Sequence, residues 1–339
     1  MNRVVVPTLL AALVLSACVG ADSRRAATTT SSDTTLVAPT TAPDAGPGAP
    51  GPASDTVTAT DLCVRAEADA APATVDSADL TEISGVAPSR THTGVLWVHN
   101  DSGSPAEVFA LGPDGGVIAR LDLPDVAAVD WEDIALGRGP GPGGEALFIG
   151  DIGDNTDEPV RDDPPVVLRV EEPDPFTAGD TTGPVTRLPF TYADGPRDAE
   201  ALLADPITGD VVVVSKQWDG SIAGAYVLPA DVTLAAEGPG VELTLPRAAD
   251  VGGTEGSPVT GGDVSADGRI VALRTYTDVL LWDRDPDTSV AATLARSPTC
   301  SRIVAEPQGE AVGFAPDGRG FVTISEGLNQ PILWHRVIG

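Results

Sequence analysis

Glu310-Ala311-Val312-Gly313, then Pro316-Asp317-Gly318-Arg319, then Val322-Thr323-Ile324-Ser325 reads as an apolar run, a tight turn and a second apolar run. Gly and Asp tolerate the positive φ of two-residue hairpin turns, so Asp-Gly between apolar runs predicts an antiparallel hairpin. The pieces recur as Asp263-Val264-Ser265-Ala266, Asp267-Gly268-Arg269 and Val271-Ala272-Leu273-Arg274. Working back along the chain, further leading segments start at Glu200, Glu132 and Ser84, at intervals of 47, 63, 68 and 48 residues. Second apolar runs follow at Val212–Ser215, Leu147–Gly150 and Leu96–His99, and their near-continuous apolarity predicts burial on both faces. Third strands are clearest at Leu280–Arg284 and Ile332–Arg336, which share Leu-Trp-x-Arg. Fourth strands are expected at 117–123, 185–192, 241–245 and 290–296.

Units of about four strands at this period predict an all-β fold, a β-propeller. Five blades are counted, with a sixth, degenerate blade inside a longer interval as the alternative. The fifth unit lacks an outer strand, and residues 63–70 are expected to supply it from the N-terminal side. Cys63 and Cys300 would then lie near the closure and form a disulfide in an oxidising compartment.

The first residues read as an address. Asn2 and Arg3 precede an apolar stretch, Val4–Leu15, too short to span a bilayer, and Leu15-Ser16-Ala17-Cys18 closes it. These small residues ending in Cys resemble the lipobox of bacterial lipoproteins. That resemblance implies a signal peptide over residues 1–17, lipidation of Cys18, and anchorage at the extracytoplasmic face of a bacterial cell membrane. Residues 18–60 are rich in Thr, Ser, Ala and Pro without an aromatic, and are expected to be a disordered tether. Such a tether reaches roughly 35 Å. The propeller is expected over 61–339.

Composition restricts partners. Fifty acids against twenty bases give a net charge of −30, so the phosphate backbone of a nucleic acid would be repelled. The sequence has no Gly-x-Ser-x-Gly elbow, and its single lysine, Lys216, is not part of a P-loop.

In a propeller the first strand of each blade lines the central channel. The starts of these strands therefore converge, bringing together Glu132, Glu200, Asp263 and Glu310. Asp151 and Asp154 follow in Gly150-Asp151-Ile152-Gly153-Asp154-Asn155-Thr156-Asp157, an oxygen-rich loop. Carboxylates crowded at one mouth must protonate or hold a cation. An all-oxygen set without usable Cys or His pairs points to a hard cation, Ca²⁺ rather than Mg²⁺. Lys216, Arg274 and His99 are the candidate catalytic groups: two cations to hold an anionic substrate, and an acid or base.

Asp130-Trp131-Glu132-Asp133-Ile134-Ala135, Asp198-Ala199-Glu200-Ala201-Leu202, Arg274-Thr275-Tyr276, Gln308-Gly309-Glu310-Ala311 and Ser325-Glu326-Gly327, with the Gly150–Asn155 loop, together resemble secreted actinobacterial propeller proteins without an assigned activity. Asp-x-Glu at the start of a blade is more distantly similar to phytase-like propellers, which implies Ca²⁺ at the channel mouth and phosphate-ester hydrolysis. Ala201 and Ala311 depart from that broader pattern, and basic residues to bind phosphate are scarce. Two classes follow: a surface-anchored binding or scaffold module for a cell-wall component or protein, and a Ca²⁺-dependent ester hydrolase.

Overall fold

The computed structural model describes residues 56–154 and 163–338. The signal segment, Cys18, nearly all of the tether and residues 155–157 of the acidic loop lie outside them.

The described chain forms a five-bladed β-propeller. Blade 1 comprises strands Ile83–Pro88, Leu96–Asn100, Glu107–Leu111 and Val117–Asp122. Blade 2 comprises Trp131–Arg138, Glu145–Asp151, Val166–Glu171 and Thr186–Tyr192. Blade 3 comprises Ala199–Ala204, Val211–Ser215, Gly224–Leu228 and Arg247–Asp250; blade 4, Val259–Val264, Ile270–Thr275, Asp278–Asp283 and Cys300–Ile303. Blade 5 takes Gly309–Phe314, Gly320–Ser325 and Pro331–Val337 from the C-terminal end, and Ala66–Ala68 from the N-terminal end. Ala66 pairs with Val337 and Ala68 with His335, so the ring closes as the sequence predicts. The expected Asp-Gly hairpins form, with Gly268 and Gly318 at φ 73° and 68°.

Apolar runs in adjacent blades pack against each other. Five buried clusters result, one at each blade interface, and these hold the ring. Phe148 and Tyr226 belong to the cluster between blades 2 and 3, and Leu203 and Trp282 to the one between blades 3 and 4. Charged ties add to them. Arg284 of blade 4 grips Asp205 of blade 3 through both carboxylate oxygens, at 2.9 and 2.7 Å.

Three expectations change at the periphery. Residues 290–296 do not form a strand: Ser289 accepts from the Ala292 N–H and caps a short helix, Val290–Leu294. Blade 4 instead takes Cys300–Ile303 as its outer strand. Leu243–Leu245 pairs in parallel with Thr186–Tyr192 of blade 2, and Arg247–Asp250 closes blade 3. The folded part also starts before residue 61, because Thr58 and Asp61 form a capping box on helix Ala59–Arg65. That helix carries Cys63, which is bonded to Cys300 on the outer strand of blade 4.

Candidate metal centre

Each inner strand breaks register with its neighbour at one residue. The skipped residues are Ser84, Glu132, Glu200, Thr260 and Glu310, at equivalent places in the five blades. Such bulges leave one residue unpaired and re-aim its side chain. Blades 2 and 3 thereby bring Glu132 and Glu200 together, each two residues after an aspartate. Asp101, Asp130 and Glu132 have carboxylate oxygens within 4.8 Å of one another, and so do Glu132, Asp198 and Glu200. Glu132 belongs to both sets.

Gly153 makes room for this packing, since a Cβ there would overlap the Glu132 and Asp130 carboxylates. Asp151 supports the site from behind, accepting the backbone N–H of Asp130 at 3.0 Å and of Val129 at 3.2 Å. The Asp154 backbone N–H donates to Asp198 Oδ1 at 3.0 Å.

Glu310, in the blade 5 place, accepts the Gln308 amide on Oε1 at 3.0 Å, while its buried Oε2 has no hydrogen-bond partner. Asp263 sits elsewhere. Thr260 holds the blade 4 place and donates to Gly309 O at 2.9 Å. Asp263 lies three residues further along the same strand, and its carboxylate accepts from the Val264 and Phe314 N–H groups. Its position makes it a tie between blades 4 and 5.

A second ring of equivalent positions follows the second strands: Asp101, Ile152, Lys216, Tyr276 and Glu326. Lys216 forms an ion pair with Glu200, both side chains being buried. Its Nζ also lies 4.5 Å from the centroid of the Trp218 ring and 5.2 Å from that of Tyr276. Burial disfavours the charge on Lys216, but the Glu200 carboxylate outweighs it and raises the pKa. Arg274 is fully buried two residues before Tyr276 and donates to Glu306 Oε2 at 2.7 Å. His99 is fully buried too, with Nδ1 2.9 Å from Asn100 O, and burial lowers its pKa to about 4. Each of the three candidate catalytic groups thus has a partner, while His99 Nε2 and Arg274 Nε and Nη1 have no hydrogen-bond partner.

The carboxyls behave as crowded acids. Burial, then the charges of Glu200, Asp101, Asp130 and Asp198, raise Glu132 well above the usual range. Glu310 rises to about 8, chiefly from burial, with Glu326 and Asp101 adding to it and Lys216 and Arg274 opposing. Burial lifts Asp101 to about 6.

A carboxyl with a raised pKa adds stability that is present below its unfolded value and is lost as pH rises through its folded value. Between pH 7.5 and 8.5, Glu310 ionises in the folded state, whereas His99 and His335, held near 4 when folded and titrating about 6.5 when unfolded, are almost wholly neutral in both states. In the presence of a chelator, the melting temperature is expected to fall across this window. A melting temperature in chelator that is constant or rises toward pH 8.5 would contradict the crowding.

No family model matches the chain, and no curated protein matches it. Among solved structures, the chain resembles the Dos1 propeller, with a TM-score of 0.35 at 14% identity over 75% of this chain and 59% of that one. It also resembles the RRP9 WD40 repeats, with a TM-score of 0.38 at 12% identity over 76% of this chain and 67% of that one. A gluconolactonase from Xanthomonas campestris gives a TM-score of 0.43 at 13% identity over 81% of this chain and 97% of that one. These likenesses are distant, and it is the chain's own strand order that makes it a β-propeller.

Proposed function

We propose that the channel mouth binds a divalent cation, Ca²⁺ by preference, and that the protein is a lipid-anchored binding propeller at the extracytoplasmic face of a bacterial membrane. The observation that carries the cation reading is Glu132, shared between two carboxylate sets whose oxygens approach within 4.8 Å. Oxygen donors from several acids suit a hard cation that takes many ligands, and Ca²⁺ accepts irregular geometry where Mg²⁺ does not. The ion would replace the protons that such crowding otherwise requires.

Binding is favoured over hydrolysis because Lys216 is paired with Glu200, Arg274 with Glu306 and His99 with the Asn100 carbonyl, and all three side chains are buried. The anchor rests on the lipobox ending at Cys18 and on the aromatic-free segment that follows.

Protein purified without chelator should retain stoichiometric Ca²⁺ by elemental analysis. Protein that retains no metal and takes up none when Ca²⁺ is added would exclude the cation reading. Cys18→Ser should shift the protein from the membrane fraction to the soluble one or leave it unprocessed. Unchanged fractionation and unchanged mass would exclude the lipid anchor.

A further inference from the structure

Trp218 departs from the pattern of its buried counterparts. Trp97, Trp131 and Trp282 are buried in the blade interfaces, whereas Trp218 is 62% exposed beside the channel mouth. Its loop is nonetheless fixed: Gln217 donates to Ser215 Oγ at 2.9 Å and accepts from Ser221 Oγ at 2.9 Å. The Lys216 ammonium lies against the Trp218 ring, and Tyr276 sits 6.0 Å away at a tilt of 38°. An aromatic surface held this way costs little ordering entropy when a ligand stacks on it.

A second observation points to a ligand with hydroxyl groups. Glu310 is 6% exposed, and its Oε2 has no partner. A buried carboxyl oxygen without a partner is costly, and a ligand hydroxyl, which can donate or accept, would relieve it. Lys216, Glu326 and Asp101 act electrostatically on Glu310, so it shares their mouth. Charge narrows the ligand further. At a net charge of −30, a phosphate or carboxylate ligand would be repelled on approach.

We propose that Trp218 and Tyr276 form a stacking subsite for the ring of a neutral carbohydrate whose hydroxyls reach Glu310 and the neighbouring carboxylates. A sugar ring offers a C–H face to the indole and hydroxyls along its edge, the combination that this mouth lacks. The inference rests on the cation centre only in that a bound ion would accept hydroxyl oxygens as ligands. Stacking and the Glu310 contact do not require it.

Titration calorimetry on the purified full chain, with cellobiose, chitobiose, maltose and mannobiose as probes, tests this with Ca²⁺ and with chelator. At least one disaccharide is expected to bind saturably. Trp218→Ala should weaken its Kd about tenfold, roughly 1.4 kcal/mol, and Trp218→Phe should restore most of the affinity. No saturable binding by any probe would overturn the inference, as would equal affinity in Trp218→Ala or a preference for glucose phosphates or hexalysine. Ca²⁺ uptake without sugar binding would overturn the subsite and leave the cation centre standing. Trp218-dependent sugar binding without Ca²⁺ uptake would do the reverse.

Discussion

Asp205→Ala is expected to lower the melting temperature by roughly 10 °C. Asp205 and Arg284 have side chains 1% and 0% exposed and join blades 3 and 4 through two hydrogen bonds. Arg284 also donates to Thr288 O at 2.7 Å and Gly268 O at 3.2 Å, so the guanidinium cannot swing out when its partner is lost. Removing one member of such a pair leaves a buried charge without its counterion, at a cost of about 3–5 kcal/mol. At about 2–4 °C per kcal/mol for a domain of this size, the fall is large and readily measured. Adding Arg284→Met should recover part of the loss, because the stranded charge goes with it. The pair also lowers the Asp205 pKa against the pull of burial, so its contribution is present at neutral pH and is lost as acid protonates the carboxylate. A shift below about 2 °C in Asp205→Ala would show that solvent reaches the pair.

Asp133→Ala should destabilise the ring by a similar amount, for a different reason. The Asp133 carboxylate accepts the N–H of Ile134 at 2.8 Å, of Leu202 at 2.9 Å and of Gly262 at 3.0 Å. It thus links the inner strands of blades 2, 3 and 4 across the buried channel. Burial pushes its pKa up against the pull of these three donors. Alanine would leave the Leu202 and Gly262 donors unpaired, at about 1–3 kcal/mol each. Asp133→Asn keeps one acceptor oxygen and should cost less than alanine. Denaturant unfolding of the two variants would show that order, whereas equal stability of wild type and Asp133→Ala would mean that water satisfies the donors.

The inner and second strands are legible in the sequence because they are buried on both faces and separated by Gly-containing turns, Asp-Gly in blades 4 and 5. The outer strands are not. They are short, face solvent on one side, and lose the apolar continuity that marked their neighbours. Val290–Leu294 is apolar and brief, a pattern that suits a strand or a helix equally, and only the Ser289 cap decides it.

The repeated Leu-Trp-x-Arg misleads in a more instructive way. Trp282 pairs with Val271, whose blade 5 equivalent, Phe321, pairs with His335 and not with Trp334. The two motifs are therefore one residue out of register. A one-residue slip exchanges the two faces of a strand. Trp282 is accordingly buried between blades 3 and 4, while His335 takes its place in blade 5, stacked on Phe321 at 4.7 Å.

At the site, the two Asp-x-Glu segments were readable because Asp130 and Asp198 stand at the same distance before equivalent bulges. The start of an apolar run places Asp263 at the mouth. The bulge that puts Thr260 there instead leaves no mark on hydrophobic periodicity. Trp218 and Tyr276 belong to different blades, and only their shared position just beyond the second strands could have linked them.

Thermal melting with Ca²⁺ or with chelator tests the proposal that the carboxylates around Glu132 hold a divalent cation. A ligand at a hundredfold excess over its Kd stabilises the native state by about 2.7 kcal/mol. Wild type is therefore expected to melt roughly 5–10 °C higher in Ca²⁺ than in chelator. Glu132→Gln with Glu200→Gln should melt at one temperature in both conditions. A wild type indifferent to Ca²⁺, or a double variant with an undiminished response, would contradict the claim.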